Sequence, residues 1–162
     1  MDSFLQPEWI DYEVGDLVIP ARRVHLWQIR PSRVFVGYLN PAESLRYERI
    51  VNEEVKCSYG SAQGGLRRII ASYMGGLPEE VDMCREGRGK PYVPGAPEFN
   101  LSHTAGRMFA AFSSSPVGLD VESASRTVRT DALARKFFSR EEANRLNMCE
   151  GLIKALTFLR YW

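Results

Sequence analysis

"RMFAAFSSSPVGLDVE", Arg107 to Glu122, is the stretch on which the reading of this chain turns. Two apolar runs flank a serine-rich break, and the spacing predicts two strands joined near Ser113–Ser115. The second run, "PVGLDVE" (Pro116–Glu122), ends in two carboxylates, Asp120 and Glu122, spaced i, i+2. A strand alternates its faces, so the two acids would point one way while Leu119 and Val121 point the other. Two meanings are open at this point. Carboxylates are mostly exposed, and the pair can be a solvated strand end. Alternatively, two acids roughly 6–7 Å apart on one face can hold one hard cation. Mg²⁺ takes one or two carboxylates together with phosphate oxygens and water.

Upstream, "VHLWQIR" (Val24–Arg30) and "VFVGYL" (Val34–Leu39) read as β-rich runs separated by a Pro-Ser turn. Asn40 is a helix N-cap before Pro41 at the first helical position. Val55, Tyr59, Ala62, Leu66, Ile69, Ile70 and Tyr73 recur at spacings of three and four. They predict an amphipathic helix that Gly75-Gly76 ends. Gly60, Gly64 and Gly65 lie inside it, against helix propensity, as sites of close packing or ligand approach. "EGRGKPYVPGAPE" (Glu86–Glu98) is a Gly- and Pro-rich loop. Helical periodicity returns over Asp131–Phe138, Glu141–Leu146 and "EGLIKALTFLRYW", whose Leu152, Ile153, Leu156 and Leu159 form one stripe. No internal repeat interrupts this order. The fold class is α+β, with an antiparallel sheet packed with helices in a first lobe.

The composition narrows the function classes. The chain has 162 residues, which bounds it to one domain or two small lobes. A net charge of +1 gives no electrostatic case for nucleic acid. Local basic groups, Arg22, Arg23, Arg30 and Arg33, then Arg85, Arg88 and Lys90, suit a small phosphorylated ligand or a solvated surface. Cys57, Cys84 and Cys149 form no C-x-x-C pair and read as reduced thiols of a cytoplasmic protein. The acidic start, "MDSFLQPEWIDYEVGDL", has no signal-peptide pattern, and no apolar run is long enough for a membrane span.

Three further stretches carry chemistry. In "FNLSHT", Ser102 and His103 follow an apolar strand and would begin a turn or helix. A hydroxyl, an imidazole and helix-start amides can make a phosphate cradle, though for this motif alone a Ser cap with a surface His is the favoured reading. In "GRGKPY", Lys90 stands in a Gly-flanked loop, as a point charge for phosphate or as a solvated lysine. In "FFSREEANRL", Ser139-x-x-Glu142 is a capping box. A catalytic role for Glu142 would require the same carboxylate to face the Asp120–Glu122 pair.

The order G-K-P-Y, F-N-L-S-H-T, V-G-L-D-V-E, F-F-S-x-x-E is more specific than any one of these motifs. Together with "LRRIIASYMGG", it resembles the 4′-phosphopantetheinyl transferase superfamily, of the larger two-lobed type that activates fatty-acid, polyketide and peptide synthetases. The resemblance covers roughly Val24 to the end. It implies that Lys90, Ser102 and His103 hold the phosphates of coenzyme A. It implies further that Asp120 and Glu122 bind Mg²⁺ and that Glu142 helps to activate the nucleophile, which makes Asp120, Glu122 and Glu142 the catalytic set. The implied reaction moves phosphopantetheine from coenzyme A, the co-substrate, to a serine of an acyl or peptidyl carrier protein. Neither nucleic acid nor membrane is implied as a partner.

The resemblance also implies what is different here. Its members carry W-x-x-K-E-A-x-x-K, whose Glu is commonly a third metal ligand. Trp162 matches that Trp, and the given sequence stops there. The expectation is a first lobe over 1–118 and the start of an incomplete second lobe over 119–162. Activity would be impaired, the end from about Asn147 would be loosely held, and the Leu152 stripe would have no sheet to cover it. The family's basic residue in the helix before "LRRII" falls near Gln63. Two other hypotheses are an inactive module that binds coenzyme A or a carrier protein, and an unrelated Mg²⁺-dependent phosphoesterase. The second would not need these motifs in this order.

Overall fold

Gly64 explains more of the architecture than any other residue of the long helix. The computed structural model describes residues 17–85, 87, 89–104, 106–123 and 130–161, so Arg88, Trp162 and the acidic N-terminal stretch lie outside the described residues. Helix α1 (Pro41–Glu48) follows strand β1 (Val24–Ile29), and α2 (Glu53–Met74) follows α1. A Cβ added at Gly64 would collide with the carbonyl oxygen of Phe35. The absence of a side chain therefore lets residues 33–38 lie directly on α2. Those residues form a 3-10 turn over Arg33–Tyr38, not the strand expected for Val34–Leu39.

Tertiary contact overrides β propensity there. Buried Ser61 of α2 accepts the Ser32 amide on Oγ at 2.8 Å and donates back to the Ser32 carbonyl at 3.2 Å. Ser32 in turn caps the turn by accepting the Val34 amide on its own Oγ at 3.3 Å. Gly64→Ala is expected to destabilise the fold by roughly 1–3 kcal/mol, the usual cost of overpacking. Chemical denaturation checks this, and an unchanged midpoint would contradict the close approach.

The predicted caps of α1 and α2 are present. Asn40 accepts the Glu43 amide at 2.8 Å and donates its own amide to Glu43 Oε2 at 3.0 Å. Gly75 ends α2 in the left-handed conformation, φ 68°, a value that favours glycine.

The sheet is antiparallel, as expected, with strand order β1-β5-β4. Strand β4 spans Glu98–Thr104 and β5 spans Arg107–Ser113. Ile29 pairs with Met108, Trp27 with Ala110, and Phe99 with Phe112. These side chains share the face that α2 covers, with Leu66, Ile69 and Ile70. Phe112 is central to this core. Its ring lies 5.5 Å from Phe99 and 4.9 Å from Tyr73, centroid to centroid. Tyr73 Oη accepts from Trp27 Nε1 at 3.0 Å and lies 2.8 Å from His25 Nδ1, which satisfies the polar tips of an otherwise apolar layer.

Two segments differ from the sequence reading. The loop over 86–98 is flanked and partly closed by a short hairpin, β2 (Cys84–Arg85) with β3 (Pro91–Tyr92). "PVGLDVE" is not a strand: among the described residues nothing pairs with it. Side chains anchor it instead of ladder bonds, as the site below shows.

Helices α3 (Thr130–Phe137), α4 (Arg140–Asn147) and α5 (Gly151–Tyr161) surround a second cluster of Ala134, Leu146 and Phe158. The Phe138 ring lies tilted against Phe158, 5.2 Å between centroids, and Lys154 Nζ reaches Asp131 Oδ1 at 2.7 Å. The α5 stripe is therefore only partly what the spacing predicted. Phe158 is the buried residue and Leu159 packs beside it, while Leu152, Ile153 and Leu156 are exposed.

Candidate active site

Ser102 is the hinge between two of the predicted motifs. It lies inside β4, paired opposite Phe109, and does not begin a turn or helix as expected. The ladder continues to the Thr104–Arg107 pair, so the amides of Ser102 and His103 belong to a strand. The helix-start cradle is thus replaced by a sheet face. Phe99 and Leu101 face the core, so alternation places Glu98, Asn100 and Ser102 on the other face. Ser102 Oγ donates to Asp120 Oδ1 at 3.3 Å and accepts the Val121 amide at 3.0 Å. The Val121 amide also lies 3.0 Å from Asp120 Oδ1. A candidate phosphate-binding hydroxyl and a candidate metal ligand are therefore neighbours.

Lys90 reaches the same segment. Its Nζ donates to Glu98 Oε2 at 3.1 Å and to the Val117 carbonyl at 3.3 Å. His103 does not join them on that face, because successive residues of a strand point to opposite sides. Its side chain is exposed near the β4–β5 turn. Strand β4 is an outer strand, so a ligand touching both Ser102 and His103 must lie along its edge. Lys90 and Ser102 thus meet at the 116–121 segment, while His103 points to the other side of β4, so the three side chains do not share the one face that was expected.

Asp120 is exposed and Glu122 half-buried. Among the described residues, the hydrogen bonds of the Asp120 carboxylate fall on Oδ1, which leaves Oδ2 available to a cation. The described residues contain no cage of three or more His, Cys, Asp or Glu side chains. The donor set fits a hard cation only in the form in which Mg²⁺ accepts few protein carboxylates and completes its shell with phosphate and water.

Glu142 belongs to α4 and its capping box is formed. Glu142 Oε2 accepts the Ser139 amide and the Ser139 hydroxyl, each at 2.8 Å. The Ser139 amide, and next the Ser139 hydroxyl, hold the Glu142 carboxyl below its usual range. A depressed folded-state value makes the cap fully stabilising above the ordinary carboxylate pKa, with loss as pH falls through the lowered value. The stability gap between wild type and Ser139→Ala is expected to be largest near neutral pH and to shrink below about pH 4. Urea unfolding across a pH series measures it, and a gap independent of pH would refute the assignment.

Arg67 was not anticipated from sequence. It is 1% exposed, donates from Nε to Glu43 Oε2 at 2.7 Å and from Nη2 to Glu43 Oε1 at 3.2 Å. Its Nη1 donates to the carbonyls of Val81 at 2.7 Å and Pro78 at 3.2 Å. In "LRRII" nothing separates it from Arg68. Only its place between Leu66 and Ile70 on the buried stripe could have marked it.

Comparison with known proteins adds to these observations. No family model matches the chain. The 4′-phosphopantetheinyl transferase HetI of Nostoc sp. is 29% identical over 170 residues, covering 98% of this chain and 71% of HetI. The 4′-phosphopantetheinyl transferase psf-1 of Bacillus pumilus is 32% identical over 71% of this chain, and Sfp of Bacillus subtilis is 25% identical over 67% of it. The chain spans 48% of the length of each of these two. The chain is similar in sequence to these 4′-phosphopantetheinyl transferases. No helix among the described residues is long and apolar enough to cross a membrane.

Proposed function

We propose that the chain transfers the 4′-phosphopantetheine group of coenzyme A to a serine hydroxyl of a carrier protein, in a Mg²⁺-dependent reaction. The observation that carries this reading is the hydrogen bond from Ser102 to Asp120, which joins a hydroxyl able to bind an anion to a carboxylate suited to a cation. The names of the relatives supply the reaction class.

The serine oxygen of the carrier would attack the phosphorus that bears pantetheine. Its bond to the second phosphate breaks, adenosine 3′,5′-bisphosphate leaves, and the serine proton is lost to a base. Bound Mg²⁺ would neutralise charge gathering on the pyrophosphate. Lys90 would add a cation on the same side, Ser102 and His103 would fix phosphate oxygens from the two faces of the β4 edge, and Asp120 with Glu122 would hold the metal. Glu142 would take the serine proton, directly or through water.

A second reading, binding of coenzyme A or carrier protein without turnover, is favoured by the state of Glu142. Its carboxylate is already engaged by Ser139, and the depressed pKa reduces its proton affinity. Mass spectrometry of an apo carrier protein incubated with the chain, coenzyme A and Mg²⁺ separates the two. A phosphopantetheine mass addition supports transfer. Binding by calorimetry with no mass addition supports the second reading.

A further inference from the structure

Lys90 joins three parts of the chain at one ammonium. It follows Gly89 and precedes Pro91 of β3, while its Nζ contacts Glu98 at the start of β4 and the carbonyl of Val117. Val117 stands three residues before Asp120. An ammonium has three donors, and these contacts use two of them. A lysine stem has much rotamer freedom to lose, so its placement depends on its acceptors.

We propose that Glu98 is a positioning residue that, through Lys90, pins the segment 116–123 onto the outer face of β4 and aims the third N–H of Lys90 at an anionic ligand. A plainer role would be a clasp. Lys90 and Glu98 flank residues 91–97, which line an open groove of about 230 Å³. A clasp alone ties the ends of that loop and leaves the segment beyond Val117 indifferent to Glu98. The Lys90–Val117 contact extends the link to the segment that carries Asp120.

The Val121 amide, bonded to Ser102 Oγ, is the reporter. Amide hydrogen exchange is followed in wild type, Glu98→Ala, Lys90→Ala and the double variant. Each single change is expected to raise the Val121 exchange rate by about 2- to 5-fold, the scale of a half-exposed ion pair. The double variant should exchange no faster than Lys90→Ala. An unchanged rate in Glu98→Ala, or effects that add in the double variant, would overturn the pin.

The aiming role rests on the proposed coenzyme A site and has its own measurement. Glu98→Gln and Glu98→Ala both lose the charge, but only glutamine keeps an acceptor for Lys90 Nζ. In calorimetry with coenzyme A and Mg²⁺, Glu98→Ala should bind about 2- to 5-fold more weakly than Glu98→Gln. Equal affinities would overturn the aiming role. A wild-type chain that binds no coenzyme A, yet shows the coupled exchange effect, would overturn the proposed function and the aiming role while supporting the pin.

Discussion

Asp120→Asn is expected to abolish the Mg²⁺ dependence of coenzyme A binding and to lower any transfer activity by about 10²–10³-fold, the scale for loss of one preorganised charged group. The substitution is chosen for its small structural cost. Asparagine keeps an oxygen that can accept from Ser102 Oγ and from the Val121 amide, the two contacts that fall on Oδ1. The side chain is exposed, so no packing is lost. What disappears is the negative charge that a hard cation requires. Calorimetric titration with coenzyme A, with and without Mg²⁺, reads the effect directly. If the variant keeps the metal-dependent affinity of the wild type, Asp120 is not a ligand.

Arg67→Ala should have the largest effect on stability, about 3–5 kcal/mol, the usual cost of removing one partner of a buried ion pair. For a chain of this size that lowers the thermal midpoint by roughly 6–20 °C. Glu43 Oε1 and the carbonyls of Val81 and Pro78 would lose the Arg67 donor together, and Glu43 Oε2 would keep only the Asn40 amide. Glu43 would remain as a charge only 13% exposed. Arg67→Lys should not rescue, because one ammonium cannot span a carboxylate on one side and two carbonyls on the other. The double change Arg67→Met with Glu43→Leu should recover part of the loss, since replacing both charges removes the uncompensated one. Thermal denaturation followed by circular dichroism checks all three. A shift of only a degree or two for Arg67→Ala would show that the pair is more hydrated than its burial indicates.

The parts of the fold that were legible in sequence are those set by local chemistry. The Asn40 and Ser139 caps, the Gly75 terminator and the periodicity of α2 depend on neighbours within a few residues, and all are present. What sequence concealed depends on distant partners. Val34–Leu39 has the composition of a strand, but Gly64 and Ser61 draw it onto a helix. The run over 116–122 has the alternation of a strand without a described ladder partner. Phe158, not the leucine stripe, fills the second core because the aromatic at 138 meets it there.

The candidate site shows the same division. Motif order singled out Lys90, Ser102, His103 and Asp120. It could not show that Ser102 and His103 would divide between two faces, nor that Glu98 would partner Lys90. Glu142 was legible as a cap from its spacing to Ser139, and the cap is what the structure contains.

The Ser102 hydroxyl has one proton, and Asp120 Oδ1 receives it. An anion that claims this proton leaves the Asp120 carboxylate with one neutral donor fewer, and so more attractive to a cation. A cation that settles on Asp120 weakens the carboxylate as an acceptor and frees the proton for an anion. If Asp120 holds the cation and Ser102 the anion, as proposed, the two affinities are linked through one hydroxyl, and by thermodynamic reciprocity each raises the other by the same factor. Ser102→Ala would remove this share of the coupling and leave only the direct attraction between the two ions.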